Sequence, residues 1–212
     1  KFISNVDLVW DWGIFDRNVV LLIWALIFIL MSLYLLGIIK MPFDTPIKKF
    51  SFSRISFLLL FLFIGVYLSS GLFNNKLHGL IESYLPPPKQ DSWIENLDEG
   101  YSIAKKMNKP IFIDFTGYTC TNCRWMEINI FEENDVKKIF EDFVLVKLYT
   151  DGKEEIHKKN RLLEIERFGT AALPYYVILS PDDEVLGTFP GMDTNKDNFI
   201  NFLNNSRSNF ED

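Results

Sequence analysis

IFIDFTGYTCTNCRWME, residues 111–127, contains the change of pattern that decides the fold. Ile111 to Phe115 reads as a short apolar strand with one charge in it, Asp114, and Thr116 to Thr119 reads as a loop. From Cys120 the pattern turns helical, and the expected helix runs to Glu133. A Cys-x-x-Cys pair that follows a strand and opens a helix is the arrangement of a thiol-disulfide centre. The helix start offers unpaired N–H groups and a positive dipole end, both of which favour a thiolate at Cys120. Two intervening residues let Cys123 resolve a mixed disulfide formed by Cys120.

Three plainer readings compete with redox chemistry. A zinc site needs further ligands, and the chain offers only His78 and His157, the latter expected as a solvated surface residue on a charge-rich helix and the former as an interfacial one. A purely structural disulfide gains little, about 2 kcal/mol, from so short a loop. Inert reduced thiols do not suit an oxidising compartment. Redox exchange is therefore the favoured reading.

Two carboxylates accompany the cysteines. At 100° per residue, Cys120, Cys123 and Glu127 fall on one helix face. Asp114, in a covered strand, is expected to be buried. Acids so placed raise the pKa of a nearby thiol, and a carboxyl group whose own pKa is raised can accept and return a proton. For Glu127 the alternative is an ordinary exposed helix acid. Pro174, in Ala172-Leu173-Pro174-Tyr175, either starts a strand or forms a cis peptide that presents the Leu173 backbone to a substrate strand.

Outward from this centre, Asp98 to Asn108 reads as a helix, Phe143 to Tyr149 as a strand and Glu154 to Phe168 as a helix stopped by Gly169. Tyr175 to Leu179 and Val185 to Phe189 form an expected hairpin around SPDDE, and Asn195 to Asn204 a closing helix. The order α-β-α-β-α-β-β-α predicts an α/β domain with a mixed central sheet flanked by helices. It is expected over residues 93–212, after a proline-rich linker, 74–92, that contains Pro86, Pro87 and Pro88.

The first third of the chain is different. Residues 19–39 and 55–73 are uncharged runs, and 21 residues at 1.5 Å each give a rod of roughly 32 Å, enough to cross a bilayer core. Both are expected transmembrane helices; the first is too long, and lacks a small-residue cleavage site, for a signal peptide. Gly65, Ser69, Ser70 and Gly71 permit close packing. The loop 40–54 carries Lys40, Lys48, Lys49 and Arg54 against Asp44, which places it in the cytoplasm and both chain ends outside. The outer segment 1–18 holds Asp7, Asp11 and Asp16, with Trp10 and Trp12 at the interface. A plain anchor is the simplest role for this hairpin, because neither span holds a cysteine or a charged side chain. Lys1 in place of an initiator Met suggests a processed chain or a piece of a longer membrane protein.

Charge divides in the same way: residues 1–88 carry 7 basic and 5 acidic side chains, and 89–212 carry 15 and 23. An outer part with net charge -8 does not suit nucleic acid. Two cysteines also rule out a disulfide-stapled scaffold and a Cys-only structural zinc site.

Asp114 to Glu127, with Leu173-Pro174 some fifty residues later, resembles the thioredoxin-like C-terminal domain of the DsbD family of thiol:disulfide interchange proteins. The two spans resemble the last two helices of that family's membrane domain. The resemblance implies a thioredoxin-like domain on a two-helix transmembrane hairpin, multi-pass in a bacterial inner membrane with its C-terminal domain in the periplasm. It implies a protein-disulfide reductase with Cys120 as attacking thiol, Cys123 as resolving thiol, Asp114 and Glu127 as tuning acids and a Cys120–Cys123 redox disulfide. It further implies that Pro174 is a cis proline, with Leu173 and Tyr118 beside the substrate. No cofactor beyond the cysteine pair is expected. The implied partners are an intramembrane cysteine-bearing domain as donor, periplasmic disulfide proteins as acceptors in electron transport such as cytochrome c biogenesis, and the lipid bilayer. The family's intramembrane cysteines are absent here, so this chain alone does not carry electrons across a membrane.

Overall fold

The computed structural model describes residues 14–42, 50–73 and 93–211, with isolated positions at 6, 7, 9, 10, 44, 77, 81 and 85. The triple-proline spacer, His78, Trp12, Asp11, Lys48 and Lys49 lie outside these residues.

Two long apolar helices come first. Helix α1, Arg17–Leu36, starts where the Asp16 carboxylate accepts from the Val19 N–H, and it stops before Gly37, which adopts a left-handed φ of 86°. The helix therefore lies two to three residues nearer the N-terminus than the apolar run that suggested it. Helix α2, Phe52–Ser70, is capped by Ser51 and continues into a 3-10 turn, Gly71–Phe73. The pair is antiparallel and clasped at both ends. Arg17 donates to the Gly71 carbonyl (3.4 Å), and Arg54 Nε donates to the Leu35 carbonyl (2.7 Å), so each helix start satisfies carbonyls at the other's end. A Cβ on Gly65 would stand 2.9 Å from Ile29 Cγ1, which explains a small residue at the crossing. Only 22% and 17% of their most apolar windows are buried among the described residues. Both are long and apolar enough to cross a membrane.

The second unit is an α/β domain built on one four-stranded sheet. Helix α3, Leu97–Met107, is capped by the Asn96 side chain and ends at Asn108, with φ 49°. Strand β1, Ile111–Thr116, pairs parallel with β2, Val144–Tyr149, and antiparallel with β3, Tyr175–Leu179; β3 pairs antiparallel with β4, Val185–Pro190. Between them run α4, Thr121–Asn129, α5, Asn134–Phe140, and α6, Glu155–Phe168, and the domain closes with α7, Lys196–Glu211. The turn between β3 and β4 is held at Asp183, which accepts from the Tyr101 hydroxyl and from Arg167.

The expected fold class holds, with two corrections. The helix expected over Cys120 to Glu133 ends at Asn129, because Ile130 and Phe131 turn inward, 3% and 4% exposed, and a separate helix α5 follows. The last helix continues to Glu211, beyond the expected Asn204, and buries Phe199, Leu203 and Ser206 along the way.

Strand β1 is covered on both faces, and all six of its residues are buried. Because side chains alternate, Phe112 enters one core with Met126, Phe131, Phe140, Tyr176 and Phe199, while Ile111, Ile113 and Phe115 enter the other with Val146, Leu148 and Val177. The Phe112 and Phe140 rings are 5.0 Å apart, one of several tilted or edge-on pairs that contribute about 0.5–1.5 kcal/mol each beyond area burial.

Helix α3 approaches β2 closely at Gly100, where a Cβ would fall 2.6 Å from Val146 Cγ2. A Gly→Ala change inside a helix ordinarily stabilises by roughly 1 kcal/mol. Here Gly100→Ala is expected to destabilise by about 1–3 kcal/mol through overpacking against a fully buried β-branched side chain. The check is the thermal midpoint of the full chain in detergent, which should fall; an unchanged or raised midpoint contradicts the packing argument.

Candidate functional site

Cys120 is the N-cap of α4, and it lies at the end of the loop that leaves the central strand β1. It is disulfide-bonded to Cys123. Cys120 Sγ also accepts from the Cys123 N–H at 3.1 Å, the contact by which a helix start stabilises an anionic sulfur. Cys120 is half-buried and Cys123 is 0% exposed, so only Cys120 can be reached from outside.

The loop before Cys120 is held from β2 and the segment after it. Asp151 accepts from the Tyr118 N–H (2.8 Å), the Thr119 N–H (3.0 Å) and the Thr119 hydroxyl (2.9 Å). The Tyr118 ring stacks on Tyr149, with centroids 4.0 Å apart and planes 6° apart. His157 packs edge-on to Tyr118 and faces its hydroxyl through Nε2 at 3.4 Å. The expectation of a solvated His157 is therefore corrected, since its ring fills the space that the missing Gly152 side chain leaves open. Gly117 is glycine for a similar reason: a Cβ there would stand 2.9 Å from Asp151 Oδ2 and 3.1 Å from Leu173 Cδ1. Leu173 thus reaches the same loop, and the Leu173–Pro174 peptide is cis.

Between α4 and the sheet lies a buried charge cluster. Asp114 is 0% exposed, and β-pairing places Lys147 and Tyr176 beside it on the neighbouring strands. Glu127, on α4, is also buried, which removes the exposed-acid alternative. It is 2.8 Å from Arg124 and 2.9 Å from Lys147. Arg124 donates in addition to the Thr116 hydroxyl at 2.8 Å, and the Lys147 ammonium lies over the Trp93 ring at 4.9 Å. Among the described residues neither Asp114 oxygen meets an amide, hydroxyl or cationic donor. Burial, and then the nearby Glu127 charge, push the Asp114 carboxyl from 3.8 up to about 7, against the opposing pull of Lys147 and Arg124. Burial also raises the Tyr176 and Tyr149 hydroxyls.

Sequence reasoning named both acids and neither cation. Lys147 had a signal, as the lone charge in an apolar strand, the counterpart of Asp114 in its own. Arg124 sits three residues before Glu127, the spacing of a helical ion pair. Asp151, in a polar segment after a strand, carried no signal. Among the described residues no group of three or more His, Cys, Asp and Glu side chains is arranged to hold a metal ion.

Residues 92–181 match the thioredoxin-like family. The chain is 32% identical over 91 residues to an uncharacterized protein of Caenorhabditis elegans, a stretch that is 42% of this chain and only 12% of the nematode protein. Among solved structures it is similar to a DsbH oxidoreductase, at 17% identity and a TM-score of 0.46, over 58% of this chain and 92% of that one. It is similar also to the oxidised C-terminal domain of Neisseria meningitidis DsbD, at 16% identity and a TM-score of 0.45, over 54% and 99% of the two chains. A thioredoxin from Thermus thermophilus matches at 19% identity and a TM-score of 0.45, over 53% and 85%. With its family match and its mixed four-stranded sheet, the domain is thioredoxin-like, and a Cys-x-x-Cys disulfide at its helix start fits a thiol-disulfide oxidoreductase.

Because the folded-state pKa of Asp114 lies above its unfolded value, its contribution to stability is full below about pH 4 and is lost as pH rises through about 7. Asp114→Asn is expected to remove that slope. A tenfold difference in acidity between the folded and unfolded chain is worth about 1.4 kcal/mol, so the variant should be more stable than the parent at pH 8 by roughly a few kcal/mol. Denaturant unfolding of the oxidised chain at pH 4.5 and pH 8 makes the comparison. A parent no less stable at pH 8 than at pH 4.5, relative to Asp114→Asn, would contradict the buried-acid assignment.

Proposed function

We propose that this chain is a membrane-tethered thiol-disulfide reductase module that relays two electrons through Cys120 and Cys123 to disulfides of other proteins. The observation that carries the reading is the partly exposed Cys120, bonded to a fully buried Cys123 in a domain whose core holds a carboxyl group with a pKa near neutrality. In the reduced form, the Cys120 thiol gives its proton to water, and the thiolate attacks one sulfur of a substrate disulfide; the other sulfur is released as a thiolate and takes up a proton from water. The Cys123 thiol then loses its proton, with Asp114 as the acceptor, and its sulfur attacks Cys120. The second substrate sulfur leaves and takes up the proton that Asp114 accepted, and the chain is left oxidised as it stands in the structure. Two electrons and two protons have moved to the substrate.

A fully buried Cys123 resists ionisation, which favours the disulfide form of the couple and supports the reductase direction. Re-reduction requires a dithiol donor, which we assign to an intramembrane cysteine-bearing domain of the same or a longer protein, as in the DsbD family. Leu173, which reaches the Gly117 loop, the cis Pro174 that follows it and Tyr118 in that loop are assigned to the substrate. Helices α1 and α2 are assigned to a bacterial inner membrane, with the basic 40–54 loop inside and the thioredoxin-like domain in the periplasm. Periplasmic disulfide proteins are the proposed acceptors.

The test of direction is the reduction potential of the Cys120/Cys123 pair, set against glutathione or dithiothreitol buffers. A value nearer the roughly -270 mV of thioredoxin than the roughly -120 mV of a strong oxidant is expected. A potential close to about -120 mV would assign the chain to disulfide formation instead. Cys120→Ser should abolish reduction of a model protein disulfide, whereas Cys123→Ser should accumulate the mixed disulfide. Full biological activity in the double Cys120/Cys123→Ser variant would leave a binding or assembly module with a merely structural bond.

The membrane assignment has its own test. The full chain, expressed in bacterial cells, should stay in the membrane pellet through an alkaline carbonate wash and be released by detergent. Release by carbonate alone would remove the two helices from the bilayer.

A further inference from the structure

A third carboxylate, apart from the buried pair, holds the loop that leads into Cys120. The three amides that lead into Cys120 are all committed: Tyr118 and Thr119 donate to Asp151, and Cys120 donates to the Gly117 carbonyl at 3.2 Å. The Cys120 sulfur is served instead from the helix side, by the Cys123 N–H. Asp151 takes a third bond from the Thr119 hydroxyl, and it lies so close to Gly117 that no side chain fits between them. One side chain from beyond the end of β2 thus fixes the loop that presents the cysteine.

We propose that Asp151 is a positioning residue for Cys120. Its carboxylate fixes the 117–119 loop, withholds two amides from the sulfur and adds a negative charge beside it, so that the Cys120 thiol is harder to ionise. The other titratable or charged groups around the couple are Asp114 on β1, Arg124 and Glu127 on α4, Lys147 and Tyr149 on β2, Tyr118 in the loop itself and His157 on α6. None of these side chains accepts from the Tyr118 or Thr119 amide, so replacing Asp151 isolates its effect.

The inference rests on Cys120 being the attacking thiol of the proposed reaction. Its test reads that assignment separately, because the chain has only two cysteines and mass spectrometry of the labelled peptides tells them apart. The detergent-solubilised full chain is reduced with dithiothreitol, freed of it and alkylated with iodoacetamide across a pH series. Asp151→Asn is expected to lower the pH of half-maximal Cys120 alkylation by about half a pH unit or more, the size of effect of one nearby charge in a partly screened setting. Asp151→Glu, which keeps the charge, should follow the parent. Thr119→Val, which removes only the hydroxyl bond, should also stay close to it.

A parental profile for Asp151→Asn overturns the inference, as does a shift in Asp151→Glu as large as that in Asp151→Asn, which would mean that loop shape alone is at work. Asp151→Ser carries the same expectation should Asp151→Asn not fold. Preferential labelling of Cys123 would instead strike at the proposed function, whatever the Asp151 variants do.

Discussion

The interaction on which the site depends is the pairing of Glu127 with two cations in a place where water does not reach. Removing charges from water costs several kcal/mol per ion, and well-packed apolar residues could fill the same volume at no loss of stability. The cluster is therefore poorly explained as a source of stability. Its geometry suggests a different use. Lys147 belongs to β2, Arg124 and Glu127 to α4, and Arg124 also reaches Thr116 at the end of β1. These contacts key the helix that begins at Cys120 to two adjacent strands by directional bonds. Breaking any one would leave a buried charge without its partner, and that penalty fixes the helix's position more sharply than apolar contact does.

The same cluster separates two acids that look alike in the sequence. Glu127 is met by both cations, while among the described residues neither oxygen of Asp114 meets an amide, hydroxyl or cationic donor. Of these two acids Asp114 is consequently the one whose burial is less compensated, and its pKa rises toward neutrality. Two nearby titratable groups in unlike environments can hold different tasks on one small site. In the proposed mechanism Asp114 moves the proton, and Glu127 supplies a fixed field and anchors the helix.

Much of this was legible because the relevant residues interrupt a pattern. Asp114 breaks an apolar strand, two cysteines stand at a strand-to-helix change, and Pro174 precedes a strand. Such exceptions in a sequence are the usual mark of a functional position. Glu127 could be placed on the face of Cys123 by angle alone, but its burial depended on which side of α4 meets the sheet. The break after Asn129 was hidden, because Ile130 and Phe131 continue an apolar pattern that a helix would also satisfy. Asp151 was hidden for a different reason. Its partners are backbone amides, which every residue but proline carries, so nothing in the sequence marks which segment will need them.

The burial of the two sulfurs fixes an order of events in the proposed exchange. Cys123, with no exposed surface, cannot meet a protein substrate, so every intermolecular bond must form at Cys120. The resolving step is then intramolecular, and at a separation of three residues it carries a high effective concentration. What limits it is the proton on Cys123, since a thiol in an apolar interior resists ionisation. A surface base cannot collect that proton from a buried atom. An acid buried in the same interior, and poised near neutrality by its surroundings, can, and Asp114 has both properties. The uncompensated burial that costs the domain stability above neutral pH is, in this account, what makes the second half of the exchange possible.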